Sequence, residues 1–119
     1  MLPEVTRHTP DFATCGQLQC DQIAALAEHG YRTLINNRPD MEGGPEQPPS
    51  VEMEKIAREH GLHYVYLPVV SGAITAAQVK AMADLLATAE QPVLAFCRSG
   101  ARSTQLWAMA TGQLPMPTR

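Results

Sequence analysis

The sequence contains little of what disulfide-bonded, metal-binding or polyanion-binding proteins need. Its 119 residues include three cysteines, an odd and sparse set that argues against a disulfide framework and favours a reducing compartment. No Cys-x-x-Cys pair or histidine cluster proposes a metal site, and we expect neither a metal nor a cofactor. The net charge of −3 leaves no basic surface that would attract nucleic acid.

Long hydrophobic stretches are also missing. No apolar run approaches the about 20 residues that cross a bilayer, and the N-terminus lacks the basic and apolar regions of a signal peptide. We therefore expect a cytoplasmic protein that binds neither membrane nor nucleic acid. Ten prolines are the main departure from average composition, and they mark turns and a C-terminal tail.

The length and the composition are those of one compact globular domain. We expect this domain over residues 1–110 and a tail or linker over 111–119. The patterns predict strands over 12–18, at a sheet edge, and over 31–36, 63–67 and 92–96, with helices over 21–29, between Ser50 and Gly61, over 75–90 and over 103–109. This alternation predicts a three-layer α/β/α sandwich with a mostly parallel central sheet and ligand sites at the carboxyl ends of its strands.

Cys97 directly follows the wholly apolar strand over 92–96, and the chain then runs into a helix. Backbone N–H groups of such a turn can curl around the sulfur as an anion cradle, strengthened by the helix N-terminus. The residues expected to form the cradle are Arg98, Ser99, Gly100, Ala101 and Ser103. Cys97 should ionise readily there and act as the nucleophile, and Arg102 should bind an oxyanion through its planar fork. An inert structural cysteine, the ordinary alternative, would need neither arginine.

Three further residues are expected at the rim of this pocket. Arg38 and Asp40 follow a predicted strand end, and we place them there together with Ser71. The ordinary alternative for Arg38 and Asp40 is a turn held by an ion pair. Cys15 and Cys20 have the context of structural cysteines.

The run from Cys97 to Ser103 resembles the active-site loop of rhodanese sulfurtransferases, with four residues between the cysteine and Arg102. Cysteine phosphatases, including the dual-specificity group, place one residue more between the two, and that longer loop encircles a phosphoryl group. A shorter loop encloses a smaller space above the sulfur, which suits the terminal sulfur of a persulfide. The loop length therefore favours sulfur transfer.

The rest of the chain resembles the phosphatase-like family of beta-lactamase-hydrolase-like proteins, over about residues 16–108. The segments that carry the likeness are Ile35–Asp40, Leu67–Val69 and Ser71–Thr75. The resemblance implies a cysteine-phosphatase-like fold of the dual-specificity type with a rhodanese-type loop. It also implies a link with bacterial sulfide handling, and occurrence alone or fused to a persulfide dioxygenase domain.

A general acid is not evident in the sequence. Hydrolysis of a phosphate ester usually draws a proton from an aspartate on a neighbouring loop, but the stretch from Leu67 to Ala77 contains no carboxylate or histidine. Sulfur transfer needs no such acid. Asp40 is the obvious substitute for this general acid, and if it reaches the pocket, phosphatase activity remains an open alternative.

We therefore expect a thiosulfate or persulfide sulfurtransferase. Cys97 would take sulfane sulfur from a small anionic donor and pass it, as a persulfide, to a thiol or cyanide acceptor. The expected partners are that donor, a thiol acceptor and a persulfide dioxygenase domain or protein. Two alternatives stay open: a cysteine phosphatase acting through a Cys97 phosphoenzyme, and a non-catalytic module that binds an anion or a partner.

Overall fold

In the described part of the chain, short segments rich in β-branched, aromatic and apolar residues form five strands, and the segments between and after them form four α-helices and one short 3-10 helix, Cys20–Gln22. The strands are β1 (Val5–Thr9), β2 (Phe12–Cys15), β3 (Thr33–Asn36), β4 (His63–Tyr66) and β5 (Val93–Phe96), and the helices are α1 (Ile23–Glu28), α2 (Ser50–Glu59), α3 (Ala76–Thr88) and α4 (Ala101–Ala110). The computed structural model describes residues 2–117. Residue 1 of the predicted domain and residues 118–119 of the predicted tail therefore lie outside the described residues.

The five strands form one mixed, mostly parallel sheet in the order β1-β2-β5-β3-β4. Strands β2, β5, β3 and β4 are parallel, and β1 is antiparallel to β2. All four residues of β5 are buried, as its uninterrupted apolar sequence predicts for a central parallel strand. Phe96 pairs with Cys15 on one side and with Asn36 on the other. The loops that follow these residues therefore emerge together at one edge of the sheet.

One prediction about the sheet is wrong. The strand predicted at an edge, over 12–18, is β2 and lies between β1 and β5. The edge strand is β1, which the sequence analysis missed. Its first three residues are exposed and its last two are half-buried, so its sequence lacks the pattern of apolar positions by which a strand is predicted. Such a segment shows no alternation of buried and exposed residues, and its place in the sheet becomes evident only from its pairing with β2.

Helices cover both faces of the sheet, which confirms the predicted three-layer α/β/α sandwich. Leu34, Leu94 and Phe96 point towards the face that packs against α1 and α2. Ile35 and Ala95 point towards the opposite face, which packs against α3 and α4. This alternation is the period of two expected of a sheet that is buried on both sides.

The starts of three helices can be compared with their predicted positions. The predicted capping box at Thr75 is confirmed, because its hydroxyl accepts the Gln78 N–H at 3.2 Å and its own N–H donates to the Gln78 side chain at 2.9 Å. Ser50, predicted as an N-cap, is instead the first residue of α2. Helix α4 begins two residues earlier than predicted, at Ala101, directly after Gly100.

Within residues 2–117, no helix is both long and apolar enough to cross a membrane. The longest, α3, has 13 residues.

Candidate active site

Cys97 lies at the carboxyl end of the central strand β5 and is 1% exposed. The N–H of Gly100 donates to its Sγ at 3.1 Å. Gly100 adopts a φ of 93°, a left-handed conformation that side chains resist. A Cβ at this position would also lie 3.3 Å from the backbone carbonyl of Cys15. The glycine therefore lets the chain turn tightly from β5 into α4 and aim an amide at the sulfur.

The surroundings of Cys97 favour its thiolate. Burial alone would raise the pKa of Cys97, but hydrogen bonds from the backbone N–H and hydroxyl of Ser103, and from the N–H groups of Ser99 and Gly100, outweigh it. The net result is a pKa below the ordinary value for a cysteine thiol. Because the thiolate is the nucleophilic form, Cys97 is prepared for attack on an electrophilic centre.

Asn37 holds the Ser103 hydroxyl next to Cys97. Both residues are 0% exposed, and the Ser103 hydroxyl lies 2.8 Å from the Asn37 Oδ1. The Asn37 amide nitrogen donates to the Leu67 carbonyl at 2.9 Å, which orients Oδ1 towards Ser103. A hydroxyl carries a single proton. The hydroxyl donates this proton to the Asn37 Oδ1, and it would have to rotate about its C–O bond to donate to the Cys97 thiolate instead.

The Arg102 guanidinium is bound on one edge and open on the other. Its Nη1 and Nη2 donate to the two carboxylate oxygens of Glu42 at 2.8 and 2.9 Å, and Nη1 also donates to the Val69 carbonyl at 2.8 Å. Among residues 2–117, no acceptor takes the Nε–H or the second Nη2–H. These two N–H groups form the side edge of the guanidinium, which fits two oxygens of a tetrahedral oxyanion.

Cys97 and Arg102 act on each other electrostatically. The hydrogen bond with Glu42 is the main reason why the pKa of Arg102 is raised, and the negative charge of Cys97 raises it further. The arginine side chain is 9% exposed, so its charge is poorly screened by solvent. The positive charge of Arg102 and the negative charge of the Cys97 thiolate therefore stabilise each other.

Glu42 is the functional residue that the sequence analysis missed. Its carboxylate accepts the two Arg102 bonds and also the Nε–H of Arg38 at 3.0 Å. Hydrogen bonding from Arg102, helped by Arg38, lowers the pKa of Glu42 against the opposing effect of burial. Glu42 follows the end of β3 by six residues. Its position in a loop at the carboxyl end of a strand is a signal available in the sequence, but the same signal applies to Asp40, which does not line the cleft.

The loop that carries Glu42 is tied down by its own side chains. The Gln47 side chain accepts the Gly43 N–H at 2.7 Å and donates to the Pro39 carbonyl at 2.9 Å. A Cβ at Gly43 would lie 2.7 Å from the Arg38 guanidinium, so a larger residue at this position would require the arginine side chain to move. Met41 adopts a φ of 67°, which is a strained conformation for a side chain of its size. These features hold Glu42 against the two arginines.

The loops enclose an open cleft of about 670 Å³ at the carboxyl edge of the sheet. Its lining combines the loop after Cys97 with the loops after β3 and β4: Arg38, Glu42, Gly43, Ser71, Arg98, Ser99, Ala101 and Arg102. Three arginines and one glutamate give this lining a formal charge of +2, although the whole chain carries −3. The cleft therefore attracts anions.

The residues expected at the rim separate into two groups. Arg38 and Ser71 line the cleft, as does Arg98, which is exposed. Asp40 does not. Its Oδ1 accepts the Ser50 N–H at 2.8 Å, so the carboxylate sits at the N-terminus of α2. That contact stabilises the helix start through an N–H group that has no partner within the helix.

The other two cysteines differ from Cys97. Cys15 is buried, and burial with the nearby charge of Cys97 raises its pKa to about 12. Cys20 is half-buried, and its pKa is also raised, mainly by burial. Within the described part of the chain, no group of three or more histidines, cysteines or carboxylates could hold a metal ion.

Comparison with known proteins identifies the family. The profile of the family described as beta-lactamase hydrolase-like protein, phosphatase-like domain, matches residues 4–113. The chain belongs to this family. A beta-lactamase hydrolase-like protein of Xylella fastidiosa is 40% identical over 99 residues, which cover 83% of this chain and 23% of that protein. The chain thus spans less than a quarter of the length of this curated relative.

Solved structures agree with the family assignment. The crystal structure of a candidate phosphatase from Neisseria meningitidis has a TM-score of 0.82 and 29% identity, covering 93% of this chain and 78% of that one. A second candidate phosphatase, from Shewanella putrefaciens, has a TM-score of 0.79 at 22% identity, covering 96% and 73%. The Shewanella likeness shows the fold alone. The predicted cysteine-phosphatase-like fold and the family resemblance are both confirmed.

The predicted sulfurtransferase activity is wrong. The family profile and the Neisseria structure point to phosphatase-like proteins rather than to sulfurtransferases. The mistake came from reading loop length as a limit on size. The four-residue loop still aims an amide at Cys97 and joins an open cleft of about 670 Å³, which has room for a phosphoryl group. The expected sulfur donor and thiol acceptor rested on that prediction and the expected dioxygenase partner on the family resemblance, and no finding tests any of the three.

Proposed function

We propose that this chain hydrolyses phosphate monoesters through a phosphocysteine formed at Cys97. The observation that carries the proposal is the open Nε and Nη2 edge of Arg102 beside a cysteine whose pKa is lowered. That edge matches two non-bridging oxygens of a phosphoryl group. The positive cleft and the family membership support the same chemistry.

In the first step the Cys97 thiolate attacks phosphorus. An S–P bond forms, the bond between phosphorus and the leaving oxygen breaks, and the electron pair of that bond departs with the leaving oxygen. Arg102 and the amides of the loop after Cys97 bind the equatorial oxygens, where charge is spread in the transition state.

In the second step water attacks phosphorus and the S–P bond breaks, which releases inorganic phosphate and restores the thiolate. The same hydrogen bonds from Ser103 and Gly100 that favour the free thiolate also favour its departure in this step. The Ser103 hydroxyl, held by Asn37 at 2.8 Å, is positioned to donate to the sulfur as negative charge returns to it.

The test is turnover of para-nitrophenyl phosphate together with trapping of the intermediate. We expect phosphate release that is abolished in Cys97→Ser, and acid quenching of the wild type should reveal one phosphoryl group on the peptide that contains Cys97. Cys20→Ser is the matched control, because this cysteine is half-buried and has a raised pKa, and it should retain activity. Turnover that survives in Cys97→Ser, or no turnover by the wild type, would refute the proposal.

Arg102→Lys tests the role of the guanidinium edge. Lysine keeps the charge but offers no planar pair of N–H groups, so we expect kcat/KM to fall by about 100- to 1,000-fold. Arg58→Lys is the control, because Arg58 is an exposed arginine that pairs with Glu54 within α2. Equal losses in the two variants would contradict the assignment of Arg102.

A further inference from the structure

The carboxylate that lines the cleft has no proton to give. Glu42 accepts three N–H bonds, from Arg102 twice and from Arg38 once, at 2.8 to 3.0 Å. These bonds lower the pKa of Glu42. A carboxyl group that donated a proton to a leaving oxygen would first have to be protonated, and the two guanidinium groups oppose that.

Two more carboxylates, Asp40 and Glu46, belong to the same loop, but neither lines the cleft, and Asp40 is turned away from it. Its Oδ1 accepts the N–H of Ser50 at 2.8 Å, and the backbone N–H of Asp40 donates to the Tyr66 hydroxyl at 2.8 Å. Both contacts hold the residue against the start of α2 and the end of β4. Its side chain is therefore fixed by structure that has no part in the cleft.

The remaining groups that line the cleft are poor acids. They are arginine side chains, which do not release a proton in proteins, and the aliphatic hydroxyls of Ser71 and Ser99. Among residues 2–117, no histidine, aspartate or tyrosine contributes to this lining. The cleft thus offers an oxyanion site, bordered by the loop that follows Cys97, without a group suited to protonate the leaving oxygen.

On the basis of the proposed phosphatase activity, we infer that this site selects phosphate groups bonded to an oxygen that leaves as a weak base, as in aryl phosphates and phosphoric anhydrides. Such an oxygen departs as the anion with the electron pair of its bond to phosphorus, and solvent protonates it afterwards if at all. A tyrosine oxygen, whose conjugate acid has a pKa of about 10, lies near the upper limit of this class. The alkoxide of serine or threonine is far more basic and falls outside it.

The inference is tested by a series of phenyl phosphates that differ only in ring substituents and so in the basicity of the phenolate. We expect kcat/KM to fall steeply with phenolate basicity, by about 100- to 10,000-fold from para-nitrophenyl to phenyl phosphate, which is the contribution that a general acid normally supplies. Glycerol phosphate, an alkyl ester, should not be turned over. We use kcat/KM because it reports the step in which the leaving oxygen departs, whatever limits the breakdown of phosphocysteine.

Acetyl phosphate, a mixed anhydride, forms a separate arm. Turnover of acetyl phosphate at a higher kcat/KM than phenyl phosphate supports the inference and shows that the class extends to anhydrides. A flat dependence on phenolate basicity, or glycerol phosphate hydrolysed as fast as phenyl phosphate, overturns the inference while leaving the phosphatase proposal intact. If Cys97→Ser equals the wild type on every substrate, both fail.

Asp40→Asn provides the matched variant. Asparagine retains an oxygen that can accept the Ser50 N–H, so the start of α2 should be preserved. We expect the same dependence on leaving-group basicity as in the wild type. A selective loss of about 100-fold or more with phenyl phosphate, and little loss with para-nitrophenyl phosphate, would show that Asp40 is the acid after all and would overturn the inference.

Discussion

Replacing Glu42 by glutamine tests how the site holds Arg102. The carboxylate accepts three charge-assisted N–H bonds, two from Arg102 and one from Arg38. A glutamine at this position has one acceptor oxygen, and its NH₂ group would face guanidinium donors. At least one bond to Arg102 or Arg38 is therefore lost, and a donor is placed against a donor.

The magnitude follows from the burial of the partners. A hydrogen bond to a charged group contributes about 1.5–3 kcal/mol when it is shielded from solvent. The Arg102 side chain is 9% exposed but that of Glu42 is 27% exposed, so we take the lower part of that range. We expect Glu42→Gln to lower the free energy of unfolding by about 2 kcal/mol. Release of Arg102 should lower kcat/KM by about 10- to 100-fold.

Urea unfolding followed by the fluorescence of Trp107, the only tryptophan, measures the stability change. Glu46→Gln is the control, because Glu46 is an exposed glutamate of the same loop. Since Arg102 binds the substrate oxyanion in our proposal, the loss in kcat/KM should include a rise in KM. Glu42→Asp, which keeps the charge on a shorter side chain, should recover part of both losses.

The effect on stability should also depend on pH. Because the pKa of Glu42 is lowered in the folded state, its stabilising contribution is present above the unfolded value, about 4.3, and is lost as the pH falls through the lowered value. The difference between wild type and Glu42→Gln should therefore be full at neutral pH and shrink below about pH 4. A variant as stable and active as the wild type, or a difference that does not change with pH, would refute this account of Glu42.

Three further outcomes are expected. Alkylation with iodoacetamide at neutral pH, followed by peptide mass spectrometry, should modify Cys97 well before Cys15, whose pKa is raised to about 12; preferential labelling of Cys15 would contradict the described environments. Ser103→Ala removes a hydrogen bond that lowers the pKa of Cys97, so the pH midpoint of that alkylation should rise. Ser99→Ala is the control, because it removes the hydroxyl of an exposed serine, and it should leave the pH midpoint unchanged. Gly100→Ala should destabilise the fold by more than the about 1–2 kcal/mol that a left-handed φ costs an alanine, because the added Cβ would also crowd the backbone of Cys15. Gly30→Ala is the control, since Gly30 has the same φ of 93° but nothing within 4 Å of an added Cβ. Equal losses of stability in the two variants would refute crowding against Cys15.

The order of elements was largely predictable because each element carries a local signal. The apolar run at Val93–Phe96 predicts a buried parallel strand, and the Thr75 capping box predicts the start of α3 within one residue. Strand β1 was not predictable in this way, since its residues are exposed or half-buried and its place depends on pairing with β2. Local patterns report burial, and an edge strand has little of it.

The nucleophile loop was predicted from its order along the chain, whereas the partners of its arginine were not. Cys97, Gly100 and Arg102 lie within six consecutive residues, so their spacing alone proposes an anion cradle. The contact between Arg102 and Glu42 joins residues 60 positions apart. Among the carboxylates of one loop, Asp40 and Glu42 are equally available in the sequence, and only the three-dimensional course of the loop directs Asp40 to α2 and Glu42 to the cleft.

The amino-acid sequence by itself determined the α/β class, the position of Cys97 after the central strand, and a glycine that lets the turn after it adopt a left-handed φ, because these depend on neighbouring residues and on local backbone sterics. The tertiary structure decided which chemistry the loop serves. Four residues lie between Cys97 and Arg102, and this loop length predicted a small space above the sulfur and therefore sulfur transfer. Once the loops after β3 and β4 are in place, the loop that follows Cys97 borders an open, positively charged cleft in which Glu42 orients Arg102. Cleft size and guanidinium orientation are set by contacts between distant segments, which no local spacing encodes.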